Sequence, residues 1–283
     1  MGTLLDGFMV SKAIRSELKD RVAKLISNGK RVPCLAVIIV GEDPASQTYV
    51  NSKAKQSKDV GYTSQTIALP TQTTQEDLIS AVEKLNHDNN VDGILVQLPL
   101  PQHIDEDALI NAIAPEKDVD GLHPLNVGYL NLGEPTFIPC TPKGIIRLLD
   151  WYNINLEGKR ALVIGRSRLV GKPIAALLMA RNATVTVAHS KTTDLNALLA
   201  EAEIIVVAMG RPEFIKAEHI KANQVLVDVG IHRGDGKIIG DVEHAAYEKA
   251  AFATPVPKGV GPMTIASLLE NTMEAYLRGD HHE

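Results

Sequence analysis

Cysteine, aromatic residues and long apolar runs are scarce in this chain of 283 residues. Its two cysteines, Cys34 and Cys140, are too few and too far apart for a thiolate metal cluster, so we expect both to be packing residues. No apolar run reaches the roughly 20 residues that cross a bilayer. The first residues also lack a basic region ahead of a long apolar stretch. The sequence therefore predicts a cytoplasmic protein with no membrane partner.

An excess of charge of either sign is also missing. The formal net charge is -5 at pH 7, and the basic residues are scattered rather than gathered in a stripe. We therefore expect no nucleic-acid partner. The histidines His87, His103, His123 and His219 show no ligand spacing, and we expect no metal site. The remaining composition, 45% hydrophobic and 22% charged, is that of a globular protein long enough for two cores.

Alternating apolar runs and amphipathic stretches predict an α/β protein of two domains, each with a largely parallel sheet flanked by helices. Helices are expected at 9–28, 44–60, 75–88, 142–152, 171–181, 194–202 and 263–278. Strands are expected at 34–40, 93–98, 160–165, 184–188, 203–208 and 225–230. A segment rich in Pro, Gly and Asn predicts a junction near 140. The first domain should cover 1–140, completed by the C-terminal helix within 263–283, and a Rossmann-type nucleotide-binding domain should cover 141–262.

The turn after the predicted strand 160–165 is a candidate phosphate loop that leads into a helix N-terminus. Ser167 stands where the G-x-G-x-x-G pattern has its second glycine, so an ordinary strand-to-helix turn around Gly165 is an equal alternative. The next strand ends without the acid that accepts from a ribose 2′-hydroxyl in NAD-binding units. Arg166 and Ser190 can instead donate to a 2′-phosphate, which favours NADP over NAD.

Three polar side chains are candidates for the chemistry. Tyr49 and Lys53 are four residues apart and share one face of the predicted helix 44–60. Lys53 alone would be one more surface charge like Lys55, but an amine beside an aromatic ring can do proton chemistry next to a planar heterocycle. Gln97 lies near the end of a predicted strand, where open α/β sheets bind ligands.

Asp120 and the Pro/Gly-rich loop 254–264 are candidates for ligand binding. An aspartate in a Val-Asp-Gly turn is most often a turn-former. A carboxylate is also a natural bidentate acceptor for the amino-amidine edge of a pterin, so both interpretations of Asp120 stay open. The glycines of the loop allow a ligand to approach its backbone closely.

Seven separated motifs occur along the chain: Tyr49-x-x-x-Lys53, Gln97-Leu-Pro-Leu-Pro101, Lys117-Asp-Val-Asp-Gly121, Pro139-Cys-Thr-Pro142, Gly165-Arg-Ser167, His189-Ser190 and Pro255-Val-Pro-Lys-Gly-Val-Gly-Pro-Met-Thr264. Together, and in this order, they closely resemble those of the bifunctional methylenetetrahydrofolate dehydrogenase/cyclohydrolase family. The resemblance extends over nearly the whole chain.

The resemblance implies oxidation of 5,10-methylenetetrahydrofolate to the 5,10-methenyl form with NADP as the cofactor, and then hydrolysis to 10-formyltetrahydrofolate. It also implies a homodimer that binds one-carbon derivatives of tetrahydrofolate. A monofunctional NADP-dependent dehydrogenase and a non-catalytic NADP-binding module are the alternatives. The presence of Tyr49, Lys53 and Gln97 favours the bifunctional enzyme.

The resemblance further implies a role for each candidate residue. Lys53 would be the principal catalytic group, and Gln97 would hydrogen-bond and orient it. Tyr49 would stack on the folate, and Asp120 would anchor the pterin. The folate would also contact Pro257, Gly261, Pro262 and Thr264. NADP would contact Gly165, Arg166, Ser167, Ser190 and Ile231.

The sequence departs from the family pattern at two positions. Lys258 stands where the family more often has glycine, and His232 follows Ile231 where asparagine is common. If the backbone at Lys258 has positive φ, a lysine there costs on the order of 1 kcal/mol. We expect such a cost to affect folate contacts rather than the chemistry.

Overall fold

The structure, a computed structural model, describes residues 2–234 and 236–280, apart from the side chains of Ala45 and Asp280. Its helices are α1 (Gly7–Ser27), α2 (Pro44–Asp59), α3 (Gln75–Asn86), α4 (Glu106–Ala112), α5 (Pro124–Leu132), α6 (Cys140–Trp151), α7 (Gly171–Ala180), α8 (Leu195–Glu201), α9 (His244–Lys249) and α10 (Val260–Asp280). Its strands are β1 (Thr3–Leu4), β2 (Cys34–Val40), β3 (Thr63–Leu69), β4 (Gly93–Val96), β5 (Arg160–Ile164), β6 (Thr184–Ala188), β7 (Ile204–Val207), β8 (Val225–Asp228), β9 (His232–Gly234), β10 (Lys237–Ile239) and β11 (Phe252–Ala253). The predicted elements are present, with ends within a few residues of the predicted limits.

The chain divides into two compact units. The large-sheet unit comprises the described residues within 1–12, 130–134 and 139–267. The small-sheet unit comprises those within 13–129, 135–138 and 268–283, although 281–283 lie outside the described residues. No helix in the described ranges is long and apolar enough to cross a membrane.

The small-sheet unit is built on three parallel strands in the order β3-β2-β4. Every residue of β2 is buried, as expected for a parallel strand covered on both faces. Asp43 accepts a hydrogen bond from Ser46 N at 2.7 Å and so caps α2 at its first turn. The last part of α10 belongs to this unit, where Asn271 Nδ2 donates to Val119 O at 2.8 Å and to Ile138 O at 2.9 Å.

The large-sheet unit contains six parallel strands in the order β1-β11-β8-β7-β5-β6. From β5 the chain adds β6 on one side and β7 on the other. This reversal is the topological switch point at which doubly wound sheets bind nucleotides. The apolar side chains of the central strands are buried between the covering helices.

The first residues of the chain lie elsewhere than predicted. The prediction assigned them to the first domain, within 1–140. In the structure β1 pairs with β11 in the large sheet, Thr3 beside Phe252 and Leu4 beside Ala253. A two-residue strand is too short to show a period of two, so this pairing left no signal in the sequence pattern.

Candidate active site

Lys53 and Gln97 meet in the small-sheet unit. Lys53 lies on α2, partly buried, and its Nζ donates to Gln97 Oε1 at 2.9 Å. Gln97 directly follows β4, and its own Nε2 donates to Leu98 O at 2.6 Å. The amide of Gln97 is therefore held at both ends, with its oxygen directed at the amine.

Tyr49 lies one helical turn before Lys53 on the same face of α2. Its side chain is 39% exposed, which leaves a ring face for a planar ligand. Lys55 is exposed, whereas Lys53 is partly buried and bonded to Gln97, which favours a chemical role for Lys53 over the alternative of one more surface charge.

Asp118 and Asp120 are two residues apart but differ in their hydrogen bonds. Asp118 is 1% exposed, and its Oδ2 accepts from His123 N and from Asn126 Nδ2, each at 2.8 Å. Burial raises the pKa of Asp118, while these hydrogen bonds act in the opposite direction. Among the described residues no hydrogen bond involves the Asp120 carboxylate. The turn is therefore held by Asp118, which sequence reasoning missed, and the structure gives Asp120 no turn-forming hydrogen bond among the described residues.

Asp120 borders a small cavity in the same unit. The cavity is lined by Ile94, Val96, Leu98, Leu100, Glu106, Leu109, Ile110, Ile113, Asp118, Asp120 and Leu122. Most of these side chains are apolar, and several belong to β4 or to the segment directly after it. Asp120 is therefore one of the residues around an apolar hollow near the carboxyl end of β4.

Gly165 and Gly171 are required by the packing around the candidate phosphate loop. Gly165 has φ of +120°, and a Cβ there would lie 2.1 Å from Ala208 O, directly after β7. A Cβ on Gly171 would lie 2.3 Å from Gly165 O, so α7 packs closely on the turn. Ser167 Oγ accepts from Gly171 N at 3.2 Å at the start of α7. The loop lies at the switch point of the sheet, which favours a dinucleotide site over an ordinary turn.

Arg166 and Ser190 follow the ends of adjacent strands. Ile164 pairs with Ala188 in the β5–β6 ladder, and Gly165 N donates to Ala188 O at 2.9 Å. Arg166 is two residues beyond Ile164, and Ser190 is two residues beyond Ala188, so both lie at the same edge of the sheet. Both side chains are exposed. A guanidinium and a hydroxyl at one edge of a sheet suit a phosphate ester.

The four predicted folate-loop residues lie in the large-sheet unit: Pro257, Gly261, Pro262 and Thr264. The prediction counted Thr264 with the helix that completes the first domain, whereas the structure divides α10 after Ser267. Thr264 Oγ1 lies 3.0 Å from Thr141 Oγ1. A Cβ on Gly261 would lie 3.5 Å from Ile231 Cδ1. Within this unit the folate loop therefore adjoins a predicted NADP contact.

Lys258 has φ of +85°, the backbone region that favours glycine. Its carbonyl accepts from Phe8 N at 3.0 Å. We expect Lys258→Gly to raise the free energy of unfolding by about 0.5–1 kcal/mol, since relief of strain outweighs the added freedom of the unfolded chain. Urea unfolding followed by circular dichroism measures the effect. Lys191→Gly, at an exposed position without positive φ, is the control and should not stabilise. A lower midpoint for Lys258→Gly would contradict this prediction.

Both cysteines are buried, as expected of packing residues. Within residues 2–234 and 236–280, no group of three or more His, Cys, Asp or Glu side chains is placed to hold a metal ion.

The fold and the candidate site define a class of protein, a two-domain α/β enzyme with a dinucleotide-binding sheet. The chain belongs to the tetrahydrofolate dehydrogenase/cyclohydrolase family. The model of that family's catalytic domain matches residues 5–120, and the model of its NAD(P)-binding domain matches residues 139–280.

Individual relatives agree with this assignment. The chain is 52% identical over 278 residues to the bifunctional protein FolD of Halothermothrix orenii, covering 97% of this chain and 98% of that protein. The crystal structure of the bifunctional FolD enzyme from Campylobacter jejuni has a TM-score of 0.96 at 49% identity, covering 98% and 99% of the two chains. The Trypanosoma brucei enzyme, solved with NADP and an inhibitor, has a TM-score of 0.94 at 39% identity over 98% of each chain.

These findings confirm the predicted family and the predicted two-domain α/β fold. They also confirm the enzyme class, a bifunctional dehydrogenase and cyclohydrolase of tetrahydrofolate derivatives, and the predicted NADP-binding domain. The roles of individual residues remain predictions.

Proposed function

We propose that this chain oxidises 5,10-methylenetetrahydrofolate to the 5,10-methenyl form with NADP and hydrolyses that product to 10-formyltetrahydrofolate, with Lys53 serving both steps. The observation that carries the proposal is the hydrogen bond from Lys53 Nζ to Gln97 Oε1. It supports an amine held in one direction at the carboxyl end of a parallel sheet, where the fold class binds ligands.

Lys53 acts as the base in the hydrolysis. Its amine takes a proton from the water that attacks the methenyl carbon, while Gln97 Oε1 holds the nitrogen in place. The bond from this carbon to N5 then breaks as the added hydroxyl becomes the formyl carbonyl. The Lys53 ammonium returns its proton to N5, and the hydroxyl proton leaves to solvent. In the oxidation, bound NADP would supply the acceptor for the hydride that leaves the methylene carbon. The folate is left with a cation shared by two nitrogens, which a nearby ammonium would repel. We therefore expect Lys53 to be a neutral amine at that step.

The folate is held by groups around this amine. Tyr49 stacks on the planar ring system, since its exposed ring lies one turn from Lys53. Asp120 accepts from the amino-amidine edge of the pterin, since Asp120 lines an apolar hollow. The loop residues that contribute further folate contacts are Pro257, Gly261, Pro262 and Thr264.

The large-sheet unit binds NADP. The crowding of Gly165 against Ala208 O at the switch point supports this, because the turn has no room for a side chain where a pyrophosphate approaches the backbone. Arg166 and Ser190 bind the 2′-phosphate. The remaining residues assigned to the cofactor are Gly165, Ser167 and Ile231.

Arg166→Ala should weaken binding of NADP more than binding of NAD, because only NADP carries the extra phosphate. Loss of a charge-assisted bond of about 1.5–3 kcal/mol corresponds to a rise of about 10- to 100-fold in the Kd for NADP. Titration of both nucleotides into the purified protein measures the change. Arg160→Ala, an exposed arginine at the opposite end of β5, is the matched control. Equal losses for the two nucleotides would contradict the assignment.

One assay tests the function as a whole. With methylenetetrahydrofolate and NADP, methenyl absorbance should rise and then decay faster than its spontaneous hydrolysis as 10-formyl product forms. Methenyl product that accumulates without enzymatic decay would indicate a monofunctional dehydrogenase. Binding of NADP without formation of either product would indicate a non-catalytic module.

The domain roles, assembly and location follow the family. The small-sheet unit, close to the predicted 1–140 with the C-terminal helix, supplies the catalytic groups, and the predicted 141–262 binds NADP. The protein is a cytoplasmic homodimer without a nucleic-acid partner. Light scattering on the purified protein tests the dimer, and a mass of one chain, 30.6 kDa, would exclude it.

A further inference from the structure

Asp241 organises the turn that follows β7. Asp241 is fully buried and lies in the chain segment that joins β10 to α9. Oδ2 accepts from Met209 N at 2.8 Å and from Gly210 N at 2.9 Å. Oδ1 accepts from Arg211 N at 2.9 Å. Three successive backbone N–H groups thus converge on one side chain. The conformation of this turn depends on that carboxylate.

His232 connects the same carboxylate to the segment that follows β8. Its Nε2 lies 2.7 Å from Asp241 Oδ1, which fixes the proton on Nε2 because the carboxylate can only accept. His232 directly follows Ile231, one of the residues assigned to NADP. Gly230 packs against Asp241, since a Cβ there would lie 2.4 Å from Asp241 Oδ1. The segments after β7 and β8 are therefore tied together through Asp241 and His232.

A second buried carboxylate fixes the other side of this arrangement. Asp228 Oδ1 accepts from Gly230 N at 2.9 Å and from Asp241 N at 3.0 Å. Its Oδ2 accepts from Val242 N at 2.9 Å and from Tyr247 OH at 2.7 Å. The backbone on either side of the His232–Asp241 contact is thus anchored, so the contact has little freedom to rearrange.

The His232–Asp241 contact lies close to the switch point of the large sheet. Strand β7 lies between β5 and β8 in the sheet. The turn Met209 to Arg211 follows β7 directly after Ala208, and the carbonyl of Ala208 crowds Gly165 at the switch point. A dinucleotide bound at that point runs along the carboxyl ends of these strands. The nicotinamide half of NADP, which lies beyond the pyrophosphate, would therefore contact the two segments that Asp241 and His232 join.

We propose that Asp241 and His232 are positioning residues for NADP, which hold the segments after β7 and β8 in the form that binds the nicotinamide half of the cofactor. The inference rests on the proposed use of NADP. The proposal gives a role to His232, which stands where the family commonly has asparagine. Neither side chain needs to touch the reacting atoms.

The test compares His232→Ala with two other variants. His232→Ala leaves a buried carboxylate short of one charged-group hydrogen bond, and we expect the Kd and KM for NADP to rise about 10-fold. Hydrolysis of supplied methenyltetrahydrofolate, which requires no NADP, should be unchanged. His232→Gln offers an N–H donor at similar reach and should restore most of the affinity. His219→Ala is the matched control, because the side chains of His219 and His232 are both 23% exposed.

Each outcome decides between the proposals. An unchanged Kd for NADP in His232→Ala, or an equal loss in His219→Ala, would overturn the positioning role. Parallel loss of hydrolysis and of thermal stability would show a purely structural role and would overturn it too. Failure of the unsubstituted protein to bind NADP would instead refute the proposed function.

Discussion

Replacing Lys53 with methionine should lower the rate of methenyltetrahydrofolate hydrolysis by about 10²–10⁴-fold, the range typical of a lost general base. Methionine keeps most of the stem of the side chain and its packing, so the loss isolates the amine. The decay of methenyl absorbance, corrected for spontaneous hydrolysis, measures it. The Kd for NADP should stay unchanged, because none of the residues assigned to NADP lies on α2.

Lys55→Met provides the control for this experiment. Lys55 lies on the same helix two residues away, but it is exposed, so its loss should change neither activity nor nucleotide binding. Hydrolysis at the normal rate in the Lys53 variant would exclude Lys53 as the base. An equal loss in the Lys55 variant would point to a general effect of charge on α2.

Gly165→Ala should weaken NADP binding by about 100-fold. The new Cβ would lie 2.1 Å from Ala208 O, and φ of +120° is unfavourable for alanine, so the turn must move by roughly 1 Å. A misplacement of about that size can cost about 10²-fold where groups must be held in a defined geometry. Nucleotide titration measures the Kd, and initial rates with NADP should fall in parallel.

Gly128→Ala is the matched substitution in the other unit. Gly128 is an exposed residue of α5, and a Cβ there would have no atom within 4 Å. We expect it to leave the Kd for NADP unchanged and to stabilise the helix slightly. Retained hydrolysis of methenyltetrahydrofolate would show that the Gly165 variant is folded. A normal Kd in that variant would show that the turn does not contact the cofactor.

The success of the secondary-structure prediction depended on burial. Strand β2 was predicted with its observed limits, 34–40, because all of its residues are apolar and buried on both faces. Strand β3 was missed. It lies at the edge of the small sheet, and its sequence Thr-Ser-Gln-Thr-Ile-Ala-Leu is largely exposed. An edge strand of this kind resembles a polar loop when only its composition is known.

In the candidate site, too, local sequence patterns predicted some features and left others to the structure. The spacing of Tyr49 and Lys53 placed them on one face of α2, since helical periodicity is local. The choice between Asp118 and Asp120 could not be made in this way. Both are acids in one short turn, and only the contacts of Asp118 with His123 and Asn126 show which of them holds it.

The sequence by itself determined the class of fold, the residue types of the site and the helical pairing of Tyr49 with Lys53, because each depends on neighbours within a few positions. The tertiary structure alone decided which distant groups meet. Lys53 and Gln97 are 44 residues apart, and only the family resemblance, not a local pattern, led us to expect their contact. The contact of His232 with Asp241 was not expected at all. Such contacts depend on how strands are ordered and how helices pack on them. These arrangements arise from burial over the whole unit, and no local pattern records them.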